Sequence, residues 1–178
     1  MKKTAIDWFP LIVDPCKEQA KNKAEQYGSS WTIYRPAGLR DKLFIKASRI
    51  RTIQEAGENK VGESIEGEFQ AILNYSLMGL IQIERGFEEA KLYPQEVLSL
   101  YEKESALCLK LMEKKNHDYG EAWRGMSQEG ITDEILVKLS RTTEKIRAKA
   151  PKKDLRAEIE DIVNYAIFAL IQIQESSQ

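Results

Sequence analysis

The sequence is poor in histidine and cysteine: its 178 residues include one histidine, His117, and two cysteines. A single histidine excludes a zinc site built from several histidines, catalysis by a histidine cluster, and a di-iron bundle with two Glu-x-x-His elements. Two cysteines are too few for a disulfide framework, which favours a reducing compartment.

The chain also lacks an excess of charge and long apolar runs. With 27 basic and 28 acidic side chains, the net charge of -1 gives no electrostatic reason to expect a nucleic-acid partner. No segment approaches the ~18 apolar residues of a membrane span. Asp7, Pro10 and Asp14 interrupt what could otherwise resemble a secretory signal. We therefore expect a cytoplasmic protein that forms one domain over residues 1–178, without a membrane or nucleic-acid partner.

An internal repeat is the most informative feature of the sequence. At an offset of 92 residues, Tyr27-Gly28-Ser29-Ser30-Trp31 aligns with Tyr119-Gly120-Glu121-Ala122-Trp123. Beyond a two-residue slip the offset is 90, and Asn74-Tyr75 aligns with Asn164-Tyr165. Further identical pairs are Cys16/Cys108, Lys23/Lys115, Asp41/Asp133, Lys46/Lys138, Ser48/Ser140, Arg49/Arg141, Glu68/Glu158, Ile72/Ile162 and the Leu-Ile-Gln-Ile segments 80–83 and 170–173. Chance would match only about one position in twenty. We interpret the chain as a duplication, with a degenerate first repeat at 14–85 and a second repeat at 94–175.

Helical spacing of apolar residues, with caps and glycine stops, predicts three helices in each half. No stretch alternates with a period of two residues. The predicted helices begin at Asp14-Pro15, Leu39, Ser64, Pro94, Thr132 and Asp154. The first five end near Gly28, Ala56, Glu84, His117 and Ala150, and the last carries its apolar residues as far as Ile173. The segment after Asn164 and its counterpart Leu73–Ile83 are apolar nearly all round, so we expect these two helices to pack together. The predicted fold is an all-α bundle of about six helices, built from two pseudo-twofold three-helix repeats.

Two carboxylates on the last predicted helix, Glu158 and Asp161, lie three residues apart and so project from one side of it. Such a pair can chelate Mg²⁺ through oxygen ligands. Acids in the first turns of a helix can instead simply complement its dipole.

The segment Lys115–Trp123 joins a helix end to an aromatic loop and contains a lysine, an amide, an imidazole and a carboxylate. Gly120 is typical of a helix C-cap, and Trp123 is equally suited to a core position. Asp118 is harder to explain structurally, because the first half has Gln26 there. His117 suits a hydrogen-bonding group at a helix end better than a metal ligand.

Lys138 and Arg141 share one face of the fifth predicted helix, and Lys46 and Arg49 are their counterparts. Three interpretations of this basic pair stay open: it is part of a solvated surface, it contacts a phosphate, or it makes a repeated salt bridge with the acidic helix.

Three motifs together resemble the nucleotide-modification-associated domain family, some members of which carry the domain in tandem. They are Lys115-Asn116-x-Asp118-Tyr119-Gly120-x-Ala122-Trp123, Lys138-x-x-Arg141 and Glu158-x-x-Asp161-x-x-Asn164-Tyr165-Ala166. The last helix is also similar to the Glu-Glu-Leu-Gly-Asp helix of the all-α nucleoside triphosphate pyrophosphatases, the MazG-like and dimeric dUTPase group.

The pyrophosphatase resemblance implies Mg²⁺-dependent release of pyrophosphate from a nucleoside triphosphate. Glu158 and Asp161 would be metal ligands; Glu113 and Asp118 are candidates for the missing ligands, because the Glu-Glu-x-x-Glu cluster of that group is absent. Asp118 would join Glu158 and Asp161 in catalysis. The residues expected to bind substrate are Lys115, Asn116, Tyr119, Trp123, Lys138, Arg141 and Asn164.

Two other functions stay open at this point: an accessory module that binds a nucleotide without hydrolysing it, and a structural helical bundle. The first half has Gln26 for Asp118 and Gln70-Ala71 for Glu160-Asp161, so we expect the working site in the second half alone. Further association of the pseudo-dimeric chain into a homo-oligomer is also open.

Overall fold

The computed structural model describes residues 2–58, 62 and 64–177, and this part of the chain contains helices but no strand. Six long helices are joined by short connections; the 3₁₀ turns Ser30–Ile33 and Ala122–Gly125 follow the first and fourth. The helices are α1 (Ala5–Tyr27), α2 (Pro36–Ala56), α3 (Ile65–Arg85), α4 (Pro94–Tyr119), α5 (Gln128–Arg147) and α6 (Lys152–Ser176). The prediction of an all-α bundle is confirmed.

Helices α3 and α6 form the centre of the bundle, as the sequence predicted from their apolar character. Both are buried along most of their length, because each is covered by helices on several sides. Gly79 of α3 allows a close approach to α2, since a Cβ at this position would lie 2.8 Å from Cδ2 of Leu39. A larger residue here would require the side chain of Leu39 to move.

The packing of the two halves follows one pattern. Each helix of the first half packs against its counterpart in the second half; α2 also packs on α3 as α5 does on α6, and α1 on α6 as α4 does on α3. These pairs are unchanged when the halves are exchanged. A pseudo-twofold relation would produce this pattern, and that relation stays a prediction.

Helix α1 is longer than predicted, because it begins at Ala5 and contains both Pro10 and Pro15. The side chain of Thr4 accepts a hydrogen bond from the amide of Asp7, whose carboxylate in turn accepts from the Thr4 amide at 2.9 Å. This capping box fixes the helix start. A buried stripe that includes Trp8, Phe9 and Ile12 compensates for the backbone bonds that the prolines remove, so the prediction of a start at Asp14 was wrong.

Helix α5 begins earlier than predicted. The hydroxyl of Ser127 caps it by accepting a hydrogen bond from the amide of Gly130 at 3.0 Å. Thr132, the predicted cap, lies inside the helix and donates its hydroxyl to the carbonyl of Gln128 at 3.0 Å. Helices α2 and α6 also begin a few residues earlier than expected, at Pro36 and Lys152.

None of the helices in the described ranges combines the length and the apolar character that crossing a membrane requires.

Candidate functional site

A cavity of about 450 Å³ lies in the second half of the chain, between α4, the 3₁₀ turn after it, and α6. Lys138 of α5 closes one side. The lining residues are Met112, Lys115, Asn116, Tyr119, Gly120, Ala122, Trp123, Met126, Lys138, Asp161, Asn164, Tyr165 and Phe168. We call this space the second-half cavity.

Local sequence explains how the aromatic side chains reach this cavity. Gly120 ends α4 with a positive φ of 61°, a conformation that suits glycine, and turns the chain into the 3₁₀ segment. Trp123 of that segment is buried and stacks on Phe168 of α6, with ring centroids 4.6 Å apart and planes 3° apart. Tyr165 meets the edge of Phe168 at 6.3 Å. The result is an aromatic wall made by two elements.

Asn164 lies beside this wall with an unpaired amide. Asn164 is only 4% exposed, and no described residue forms a hydrogen bond with its Nδ2 or Oδ1. The indole Nε1 of Trp123 is also buried and has no hydrogen-bond partner among the described residues. A buried polar group without a partner costs about 1–3 kcal/mol, so each of these atoms needs a partner from outside the protein, either an ordered water or a ligand.

Asp161 is the carboxylate that lines the cavity, and two lysines hold it. Lys138 Nζ lies 2.8 Å from its Oδ2, and Lys115 Nζ bonds its Oδ1. Burial raises the pKa of Asp161, but the hydrogen bonds from Lys115 and Lys138 outweigh burial and hold the pKa below its ordinary value. Asp161 is therefore ionised at neutral pH.

Glu158 lies one turn before Asp161 on α6 and extends the same charge cluster. Its carboxylate is 2.5 Å from Lys145 Nζ and 3.6 Å from Lys138 Nζ. Three ammonium groups thus surround two carboxylates. The net positive charge of this cluster favours an anion such as a phosphate over a cation.

Of the four predicted magnesium ligands, Glu158 and Asp161 share this charge cluster, but the structure does not bring Glu113 and Asp118 to them. Glu113 and Asp118 are exposed on α4 and do not line the cavity, and Oδ1 of Asp118 lies 3.1 Å from His117 Nδ1. Among the described residues, no three histidine, cysteine or acidic side chains are grouped to hold a metal ion. The four carboxylates do not fit a shared Mg²⁺ site as they stand, and their role as ligands stays a prediction.

Six of the seven predicted substrate-binding residues line the second-half cavity: Lys115, Asn116, Tyr119, Trp123, Lys138 and Asn164. Arg141 is exposed and lies outside the lining. Sequence reasoning missed Lys145 and Phe168. Helical spacing could have found both, since Lys145 follows Lys138 by two turns on α5 and Phe168 follows Asn164 by one turn on α6.

In the first half, the counterparts of the basic pair make a salt bridge. Glu68 is buried and lies 3.3 Å from Lys46 Nζ and 2.7 Å from a guanidinium nitrogen of Arg49. The reading of a repeated contact with the acidic helix is therefore confirmed for Lys46 and Arg49. Lys138 keeps that contact with Glu158 but also reaches the cavity.

A model of the family described as nucleotide modification associated domain 1 matches residues 23–83 and again residues 115–173. The chain belongs to this family. Each match lies in one half of the chain, and the second contains all the cavity residues named above except Met112. The resemblance to the pyrophosphatase group is a separate point and stays a prediction. No curated protein and no solved structure matches the chain significantly.

Proposed function

We propose that the second half of the chain binds a nucleotide in the second-half cavity. The observation that carries this proposal is the unpaired, buried amide of Asn164 on the cavity wall. An amide offers a donor and an acceptor side by side, which is the pattern that base edges also present. A volume of about 450 Å³ lies within the range of sites for small molecules.

The rest of the wall suits the other parts of a nucleotide. Tyr119 lines the cavity and is 75% exposed, so its ring is available for stacking on a base, whereas the buried ring of Trp123 behind it already stacks on Phe168. Lys115 and Lys138 provide two ammonium groups for phosphates. A bound phosphate would compete with Asp161 for both lysines.

Hydrolysis of the bound nucleotide to release pyrophosphate, with Mg²⁺, is the second candidate function. Asp161 favours it, because an ionised carboxylate on the wall of a nucleotide cavity can orient an attacking water. Its two lysine contacts argue for binding alone, since they occupy the carboxylate that hydrolysis would need.

Calorimetric titration with a panel of nucleoside and deoxynucleoside triphosphates tests the binding proposal. We expect saturable binding to the wild-type protein and at least ~10-fold weaker binding to Asn164→Leu, which keeps the size of the side chain but loses its hydrogen bonds. The matched control is Ser76→Ala, which removes a buried, unpaired hydroxyl outside the lining of the cavity and should leave the affinity unchanged. A structural bundle would bind none of the panel, and equal affinity in wild type and Asn164→Leu would exclude the cavity as the site.

Asp161→Asn separates the two candidate functions. Binding alone predicts that this variant keeps or gains affinity for triphosphates, since the competing carboxylate charge is removed. Hydrolysis predicts that the wild-type protein releases pyrophosphate with Mg²⁺ and that Asp161→Asn does not. Pyrophosphate release is measured with and without Mg²⁺ on the same samples.

A further inference from the structure

A second cavity, of about 290 Å³, lies in the first half of the chain. Its walls include Lys23, Tyr27, Trp31, Asn74, Tyr75 and Met78. Each of these residues stands 92 or 90 positions before a residue that lines the second-half cavity. The duplication has therefore preserved a cavity, and we call it the first-half cavity.

The charges around the first-half cavity differ from those in the second half. Ala71 stands at the position of Asp161, so the carboxylate on the wall is missing. Lys46, the counterpart of Lys138, pairs with Glu68 at 3.3 Å and does not line the cavity. Lys23 is the charged side chain that remains among the lining residues.

The hydrogen-bonding groups differ as well. Oδ1 of Asn74 accepts a hydrogen bond of 2.8 Å from the hydroxyl of Tyr101. Burial raises the pKa of Tyr101 well above its ordinary value, so the hydroxyl stays protonated and donates. This contact fixes the orientation of the Asn74 amide and commits its acceptor oxygen. The charged and amide groups that its lining still offers to a ligand are the ammonium group of Lys23 and the amide protons of Asn74, which are donors.

We propose that the first-half cavity is a second ligand site that takes a nucleoside with a single phosphate. The smaller volume and the one lysine match a single phosphate, whereas the two lysines of the second-half cavity suit a triphosphate. The nucleoside part of the ligand rests on the proposed function, because it is inferred from the shared aromatic and asparagine positions. Because Ala71 stands at the position of Asp161, this site has no carboxylate to orient a water and would bind its ligand without hydrolysis.

Fluorine NMR of the protein labelled with 5-fluorotryptophan reports on both sites at once. The chain has three tryptophans: Trp31 lines the first-half cavity, Trp123 the second-half cavity, and Trp8 neither. Single Trp→Phe variants assign the three resonances. The probes are deoxynucleoside monophosphates and triphosphates, each titrated into the folded full-length chain.

We expect a monophosphate to shift the Trp31 resonance saturably while the Trp8 resonance stays in place. Lys23→Ala should weaken that response at least ~5-fold through the loss of a charge-assisted contact, whereas Lys115→Ala, the matched variant in the second half, should not. A Trp31 resonance that no monophosphate moves at millimolar concentration would overturn the proposal, as would an equal response in Lys23→Ala.

The same titrations keep the two proposals separate. A response of Trp31 to monophosphate with no response of Trp123 to triphosphate would support the first-half site and contradict the proposed function. The reverse pattern would support the proposed function and overturn the first-half site.

Discussion

The hydroxyl of Tyr101 donates a hydrogen bond of 2.8 Å to Oδ1 of Asn74. In the second half the counterpart of Asn74 is Asn164, and the residue 92 positions before Tyr101 is Phe9, which has no hydroxyl. Asn164 is correspondingly left with both amide atoms unpaired. One hydroxyl group thus separates an asparagine that is hydrogen-bonded within the protein from one whose amide atoms have no partner among the described residues.

This difference predicts opposite effects of the same substitution in the two halves. Asn164→Leu removes an unpaired buried amide and should leave the free energy of unfolding unchanged or raise it by about 1 kcal/mol. Asn74→Leu leaves the buried hydroxyl of Tyr101 without its partner and should lower it by about 1–3 kcal/mol. Urea unfolding followed by circular dichroism measures both values.

Tyr101→Phe is the control for that pair. It removes the hydroxyl, so Asn74→Leu should lower the free energy of unfolding less in the Tyr101→Phe protein than in the wild type. Equal destabilisation by Asn74→Leu and Asn164→Leu would show that the two amides have the same environment, contrary to the structure.

Asp161 should make stability depend on pH in the acid range. Its folded-state pKa is lowered, so its contribution is present above the ordinary value of 3.8 and is lost as the pH falls through the folded-state value. At pH 7, Asp161→Asn should lower the free energy of unfolding by about 1–3 kcal/mol through its contacts with Lys115 and Lys138. The gap between wild type and Asp161→Asn should close below pH 3.8. A gap that does not change between pH 7 and pH 3 would exclude these ionic contacts.

Arg124 connects the start of the chain to the site. Its guanidinium donates to Glu121 at 2.5 Å, to Glu175 at 2.7 Å and to the carbonyl of Lys3 at 2.7 Å, and it lies over the ring of Trp123. We expect Arg124→Ala to lower the free energy of unfolding by about 2 kcal/mol, and faster amide hydrogen exchange at the start of α1. Arg147→Ala is the control, since Arg147 makes an exposed pair with Glu144 that should contribute nothing measurable.

The two cysteines should not react in the folded protein. Cys16 and Cys108 are both buried and unbonded to each other. Burial raises the pKa of Cys16 to about 12 and raises that of Cys108 further, so neither forms a thiolate at pH 8. A thiol reagent such as Ellman's should label two groups in denaturant and none without it. Rapid labelling of the native protein would mean that α1 or α4 opens easily.

The fold could be predicted from the sequence because its signals are local. The spacing of apolar residues predicted six helices, and α3 and α6 were identified as the central pair because they are apolar on most sides. Helix starts were harder to predict, because a proline or a threonine can lie either at the start of a helix or inside it. Pro10 and Pro15 lie inside α1 since buried contacts of Trp8 and Phe9 outweigh the lost backbone bonds, and Thr132 donates within α5 while Ser127 caps it.

The candidate site was predictable where the repeat preserved it. Trp123 and Asn164 were identified from motifs, and their positions in one cavity agree with that. Which of the two aligned asparagines is paired could not be predicted, because Asn74 is paired by Tyr101, a residue on α4 that contacts it across the bundle. The lysine contacts of Asp161 likewise come from α4 and α5, and sequence spacing along α6 says nothing about them.

The side-chain amide of Asn164 is the most direct probe of the account. Its NH₂ signals in a ¹⁵N-correlated spectrum are assigned by their loss in Asn164→Leu, and a deoxynucleoside triphosphate is then titrated into the wild-type protein. We predict that these signals shift saturably, with the same dissociation constant that calorimetry gives, because the nucleotide base forms hydrogen bonds with this amide. Binding that leaves the Asn164 signals unmoved, or no binding across the panel, would contradict the account.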